Sequence, residues 1–151
     1  VGALVANSGC GAESLCLEIT ESAIMDDPKR ALETAKALHA AGFKLSIDDF
    51  GTGYSSLAYL KQLPVQELKI DQSFVFGMAK GGAESEGDRK IVKSTIELAH
   101  NLGLSVVAEG IEDEATLELL AGWGCDEGQG YFIDKPMPAE QLLQRLAPPP
   151  A

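Results

Sequence analysis

The sequence predicts an α/β fold: the C-terminal part of a TIM-like (β/α) barrel, with parallel strands alternating with helices. Three observations carry this reading. Short apolar runs of strand type alternate with segments of helical period along most of the 151 residues, the pattern of parallel strands joined by crossover helices. The units are short and regular, which favours a barrel over a doubly wound sheet. Polar residues gather at the ends of the apolar runs, on the rim where barrel enzymes build their sites. A complete barrel takes eight units and about 250 residues, and only four or five units fit here.

The elements follow in order. LCLEIT (15–20) reads as a strand. A helix then begins near Asp27-Pro28, with Ala31, Leu32, Ala35 and Leu38 on one face and Gly42 as its stop. KLSIDDF (44–50) is the second strand, followed by a short helix through SSLAYLKQL that Pro64 ends, and VQELKID (65–71) is the third strand. The Gly-rich GMAKGGAESEGD (77–88) predicts an exposed loop, with Asp88 capping a helix that carries Ile91, Thr95, Leu98, Ala99 and Leu102 before Gly103. LSVVAEG (104–110) is a fourth strand and DEATLELLAGWG (113–124) a helix. EGQGYFI (127–133) is a candidate fifth strand, and AEQLLQRL (139–146) a last helix before a Pro-rich tail.

The bulk properties narrow the function. A hydrophobic content of 45% with near-zero mean hydropathy fits a soluble domain with a real core. The net charge of −11 leaves no basic surplus for polymeric nucleic acid, yet it admits a phosphorylated ligand if metal ions supply the positive charge. Cys10, Cys16 and Cys125 are odd in number and lack C-x-x-C spacing, so they read as reduced packing residues of a cytoplasmic domain. The opening VGALVAN is too short for a membrane span, so no membrane contact is expected of this segment, and the first residue, Val, suits an excised or processed piece. His39 and His100 fall near helix C-termini and read as dipole partners, and Trp123 as packing.

The functional signal lies at the strand ends. Glu18 sits in LCLEIT, Asp48 and Asp49 end SIDDF, Lys69 and Asp71 lie in LKID, Glu109 ends VVAEG, and Gln129 lies in GQGY. So many carboxylates on one rim call for a cation, and hard Mg²⁺ or Mn²⁺ ions take oxygen ligands. Neighbours in a regular strand point to opposite faces; at the last residues the chain turns, which lets Asp48 point inward and Asp49 reach sideways. Gly51 and Gly53 permit the turn, and Thr52, Ser55 and Ser56 offer hydroxyls to the short helix or to a ligand. Two adjacent carboxylates can bridge a pair of ions about 3.5–4 Å apart, the arrangement of two-metal phosphoryl hydrolysis. Taken singly, each acid also has a structural reading, as a rim ion pair, a turn residue or a helix cap.

LEITES, IDDFGTGYSSLAYLKQLPVQELKID, VVAEGIE and DEGQGYFIDKPMP, in that order, resemble the second half of an EAL domain, the cyclic-di-GMP phosphodiesterase fold. The resemblance runs from about Leu15 to Leu146, which makes 1–147 a partial EAL domain and 148–151 a tail. It implies hydrolysis of cyclic-di-GMP to linear pGpG with two Mg²⁺ or Mn²⁺ ions. It further implies that Glu18 is a metal ligand, that Asp48 bridges both ions and that Asp49 binds the second. Lys69 then positions the attacking water or steadies the phosphate, Glu109 is the catalytic glutamate, and Gln129 holds water or substrate. Glu21 resembles the glutamate that steadies the DFGTGYSSL loop, a loop tied to metal binding and to homodimerisation; Thr52, Gly53 and Asp71 serve substrate or loop. An upstream GGDEF or sensor domain is a further expectation.

The E-A-L motif itself, the Asn ligand and the nucleotide-gripping arginine of the family's first half have no counterpart here, and VGALVANSGCGAESL resembles only the helix and loop before LEITES. Alone, the chain is therefore expected to bind metal poorly and hydrolyse little. Its two open sheet edges are expected to make it pair with a second copy, be unstable, or need the rest of the barrel. Two other functions compete: a non-catalytic EAL-type receptor or protein-interaction module, and an enolase-like barrel, against which the Asp pair and its loop speak.

Overall fold

The computed structural model describes residues 5, 9–53, 57–79 and 83–146. After a 3-10 turn at Ala12–Ser14 come β1 (Cys16–Thr20), α1 (Glu21–Asp26), α2 (Pro28–Ala40), β2 (Lys44–Phe50), α3 (Leu57–Leu60) and β3 (Glu67–Ile70). Next are α4 (Gln72–Ala79), α5 (Ala83–Asn101), β4 (Ser105–Ala108), α6 (Glu114–Gly122), β5 (Glu127–Gly128) and α7 (Ala139–Leu146). The five strands form one parallel sheet in the order β1-β2-β3-β4-β5.

Strand alternation divides the sheet into two faces. Leu45 and Ile47 of β2, Leu68 and Ile70 of β3, and Val106 and Ala108 of β4 are buried together with Ala35, Val75, Met78, Val92, Ile96, Ala99 and Leu120 from the helices. Each such Leu or Ile contributes about 1.5–3 kcal/mol on burial. The opposite parity carries Glu18, Ser46, Asp48, Lys69 and Val107, and the register sets Glu18 beside Ser46, Thr20 beside Asp48 and Lys69 beside Val107. Hence the polar residues share one face. The helices cover the other.

Several elements differ from the sequence expectations. The helix expected from Asp27-Pro28 is α2, where Asp27 accepts from Arg30 N at 3.1 Å, but a further helix, α1, precedes it, capped by Thr20 accepting from Ala23 N at 3.3 Å. The expected loop at 77–88 is helix on both flanks, with residues 80–82 outside the described ones. The Ser85 hydroxyl donates to Met78 O at 2.7 Å, and the Arg89 guanidinium donates to the same carbonyl at 3.1 and 3.3 Å. These contacts hold α5 in place well before Asp88, which therefore lies inside the helix and does not cap it. The fifth strand stops at Gly128: Gly130 packs so tightly on the Ile111 backbone that a Cβ there would lie 2.1 Å from Ile111 O. The chain turns at that crossing, with Ile133 N and Asp134 N both donating to Gly130 O at 3.1 Å.

Cys10 and Cys16 are exposed, so packing describes only half-buried Cys125, whose thiol burial pushes up to about 11. Trp123 packs against the core. No helix among the described residues is long and apolar enough to cross a membrane. His39 and His100 lie in the last turns of α2 and α5, and both also have side-chain partners. Gln66 Nε2 lies 3.4 Å from His39 Nδ1, and His100 Nε2 lies 2.9 Å from Asp126 Oδ2, which also accepts Val106 N at 2.8 Å.

The His100 hydrogen bond, with Val106 N adding to it against the opposing effect of burial, holds the Asp126 carboxyl below its ordinary range. A carboxyl depressed in the folded state stabilises the fold above its unfolded value, about 3.9, and loses that contribution as pH falls through the folded value. Urea midpoints measured on either side of that window should therefore fall less steeply with acidification in Asp126→Asn than in the parent.

Candidate metal centre

The end of β2 brings its two acids to one side by an irregular backbone. Asp49 takes a left-handed conformation with φ 56°, and the β2–β3 register shifts between Ile47 and Phe50. A non-glycine residue there is uncommon, and aspartate is among those that tolerate it. The left-handed step cancels the alternation that would send Asp48 and Asp49 to opposite faces. A ligand oxygen from each of Asp48, Asp49 and Glu109 then lies within 4.8 Å of the others.

Lys69 stands at the middle of this rim. Its Nζ lies 2.8 Å from Glu18 Oε1, 3.1 Å from Asp48 Oδ1 and 2.7 Å from Glu109 Oε1. The lysine side chain is 7% exposed and that of Glu18 49%, so the ammonium is sunk while its first partner stays open to solvent. Burial works against the charged lysine, but the three carboxylates beside it, Glu109 first, then Glu18 and Asp48, outweigh it and hold the ammonium above the usual lysine range. Burial, then the neighbouring Asp48 and Asp71, push the Asp49 carboxyl above its usual range.

The residues fit a divalent cation. Four carboxylates, from Glu18, Asp48, Asp49 and Glu109, face one ammonium. Asp48 Oδ1 is buried and has no hydrogen-bond donor, because its approach to Lys69 Nζ lacks hydrogen-bond geometry. A buried carboxylate oxygen without a donor is costly, and a hard cation, which takes oxygen ligands, removes that cost.

The remaining candidates take distinct places. Glu18 lies outside the three-acid cluster, hydrogen-bonded to Lys69 at 2.8 Å. Glu21 is buried at the start of α1, and its Oε2 accepts Gly51 N at 2.8 Å and Gly53 N at 3.2 Å, so one carboxylate ties two points of the loop after β2. Gly51 needs its left-handed φ of +100°. Gly53 does not, and instead makes room, since a Cβ there would lie 3.2 Å from Glu21 Oε1. The Thr52 hydroxyl donates to Asp49 O at 2.9 Å; Ser55 and Ser56 lie outside the described residues. Asp71 accepts Ser73 N at 3.0 Å and the Ser73 hydroxyl, which caps the start of α4. Gln129, whose N–H donates to Ala108 O at 2.8 Å, lines a cavity of about 230 Å³ with Glu109, Gln72, Phe76 and Tyr131. The sequence did not reveal the contribution of α4 to this rim, nor the pairing of Lys69 with Glu18 across 51 positions.

A model of the EAL domain family matches residues 2–136. Over 133 residues the chain is 48% identical to MucR of Pseudomonas aeruginosa, described as a bifunctional diguanylate cyclase/cyclic di-GMP phosphodiesterase, covering 88% of this chain and 19% of that protein. It is 43% identical over 129 residues to a cyclic di-GMP phosphodiesterase of the same organism, covering 85% of this chain and 21% of that one. Among solved structures, one described as the PaMucR phosphodiesterase in complex with c-di-GMP superposes with a TM-score of 0.88 at 44% identity, over 93% of this chain and 55% of that one. The chain thus spans about a fifth of the length of these relatives and 55% of the solved chain.

The Glu21 contacts generate a stability prediction. Glu21→Ala removes the charged acceptor of two part-buried hydrogen bonds, from Gly51 N and Gly53 N, and a hydrogen bond to a charged group contributes about 1.5–3 kcal/mol. Urea unfolding should show that loss, with a smaller one for Glu21→Gln, which keeps an acceptor oxygen.

Proposed function

This chain belongs to the EAL-domain family, and on that premise we propose that it is the C-terminal part of a metal-dependent phosphodiesterase that hydrolyses cyclic-di-GMP to linear pGpG. The convergence of Asp48, Asp49 and Glu109 beside a charged, buried Lys69 carries the reading. Asp48, Asp49, Glu109 and Glu18 would hold the Mg²⁺ or Mn²⁺ ions. Bound there, the ions would supply charge stabilisation at the phosphate and a lowered pKa for the attacking water.

The chain's own residues supply the rest. Lys69, kept protonated by its carboxylates, sets a positive charge beside the phosphate, where negative charge grows in the transition state. Glu18, the more exposed partner of that lysine, is the carboxylate most readily re-aimed toward a cation. Gln129 and the cavity it shares with Glu109 lie beside the acids and offer an amide to water or to the substrate. Hydrolysis adds water across one P–O3′ bond: phosphorus gains the oxygen, and the ribose oxygen leaves with a proton. Cations balance a diphosphate ring on a chain of net charge −11.

The loop DFGTGYSSL, of which 54–56 lie outside the described residues, is the proposed route to a homodimer. A cytoplasmic setting and an upstream GGDEF or sensor domain complete the proposal. By itself the chain is expected to hydrolyse little, because in the proposed enzyme further ligands come from N-terminal barrel units.

Cyclic-di-GMP hydrolysis with Mn²⁺ tests the reading, on this chain alone and on the chain joined to the N-terminal units of an EAL barrel. The joined chain should turn over, and Asp48→Ala should lower kcat by at least about 100-fold, the scale expected when charge stabilisation at the reacting phosphate is removed. Binding without turnover in the joined chain would replace the enzyme with a cyclic-di-GMP receptor.

A further inference from the structure

We propose that α4 is a wedge that sets the separation between the Asp48–Asp49 loop and Glu109, with Phe74 and Phe76 as positioning residues for the bound cation. This rests on the cation reading above.

The argument begins with topology. α4 follows β3, whose neighbours in the sheet are β2 and β4, so the helix stands between the rim loops that follow those two strands. It touches both. On one side the Phe74 ring lies against Gly51, where a Cβ would come within 2.9 Å of Cε2 and 3.3 Å of Cζ. Gly51 stands two residues past Asp49, and its N–H is held by Glu21 at 2.8 Å, so this point of the loop is clamped between a carboxylate and an aromatic ring. On the other side, Gln72 and Phe76, one helical turn apart, meet Gly110. A Cβ there would come within 2.7 Å of Gln72 Cβ and 3.1 Å of the Phe76 ring. Gly110 has φ +74° and directly follows Glu109.

The helix itself has little freedom. Asp71 caps its first turn, the Met78 carbonyl near its end accepts from Ser85 and Arg89, and Val75 and Met78 are buried in the core. A rigid element in contact with the glycine beside each acid fixes how far apart those acids stand. Cation affinity depends steeply on ligand spacing, and groups that orient metal ligands are worth about 10- to 100-fold in affinity.

Mn²⁺ binding to the joined chain, read from the electron paramagnetic resonance signal of the free ion, tests this without reference to turnover. Phe74→Ala and Phe76→Ala should each raise the Mn²⁺ Kd about tenfold, and Phe74→Leu should recover most of the affinity. Val75→Ala is the control. Its side chain lies in the core and is not among the atoms nearest either glycine, so it should lower the Tm and leave the Kd unchanged. Gly110→Ala crowds the same contact from the loop side and should weaken binding even if a phenylalanine variant fails to fold. Unchanged Kd in the phenylalanine variants, or equal weakening by Val75→Ala, overturns the wedge alone. A parent that binds no Mn²⁺ overturns the cation reading and the wedge together.

Discussion

Everything at the rim depends on one buried ammonium. Without Lys69, Glu18, Asp48 and Glu109 would face one another with no positive charge among them. Repulsion in a partly desolvated setting would then drive them apart or protonate them. With it, three carboxylates from three strands are drawn to one point. The arrangement is undersupplied with positive charge, and that excess of carboxylates is what would favour a cation there. A site that was neutral as folded would gain far less from a divalent ion.

The same economy explains the backbone. Asp49 accepts an unusual conformation so that two consecutive residues serve one side of the sheet, and Thr52 and Glu21 brace the segment that pays for it. Strain of this kind persists where the surroundings over-determine it. Here the surroundings are a carboxylate below and backbone hydrogen bonds within the turn.

Much of this was legible in the sequence, and the parts that were not share a physical reason. The alternation of Leu45 and Ile47 with Ser46 and Asp48 announced a two-faced strand, and Asp27-Pro28 and Gly42 marked the limits of α2. The helix α4 left no such mark, because QSFVFGMA meets core and rim loops on several sides and shows no polar stripe. The early start of α5 rests on Ser85 and Arg89 reaching the Met78 carbonyl, and the early end of β5 on Gly130 crossing Ile111; both are tertiary contacts that local period does not encode. In the site, the residue types and their strand-end positions could be read directly. The partnership of Lys69 with Glu18 could not, since it depends on two strands that are not neighbours in the sheet.

The strand order bears on how the molecule is assembled. Every strand pairs with its immediate predecessor in the chain, so no pairing waits for a distant segment to arrive. Closing a loop of two or three dozen residues is entropically modest, and topologies built from near contacts fold faster than those built from remote ones. The sheet can therefore grow by accretion, one strand and its helix at a time, each new unit docking on an edge that the last one has just completed.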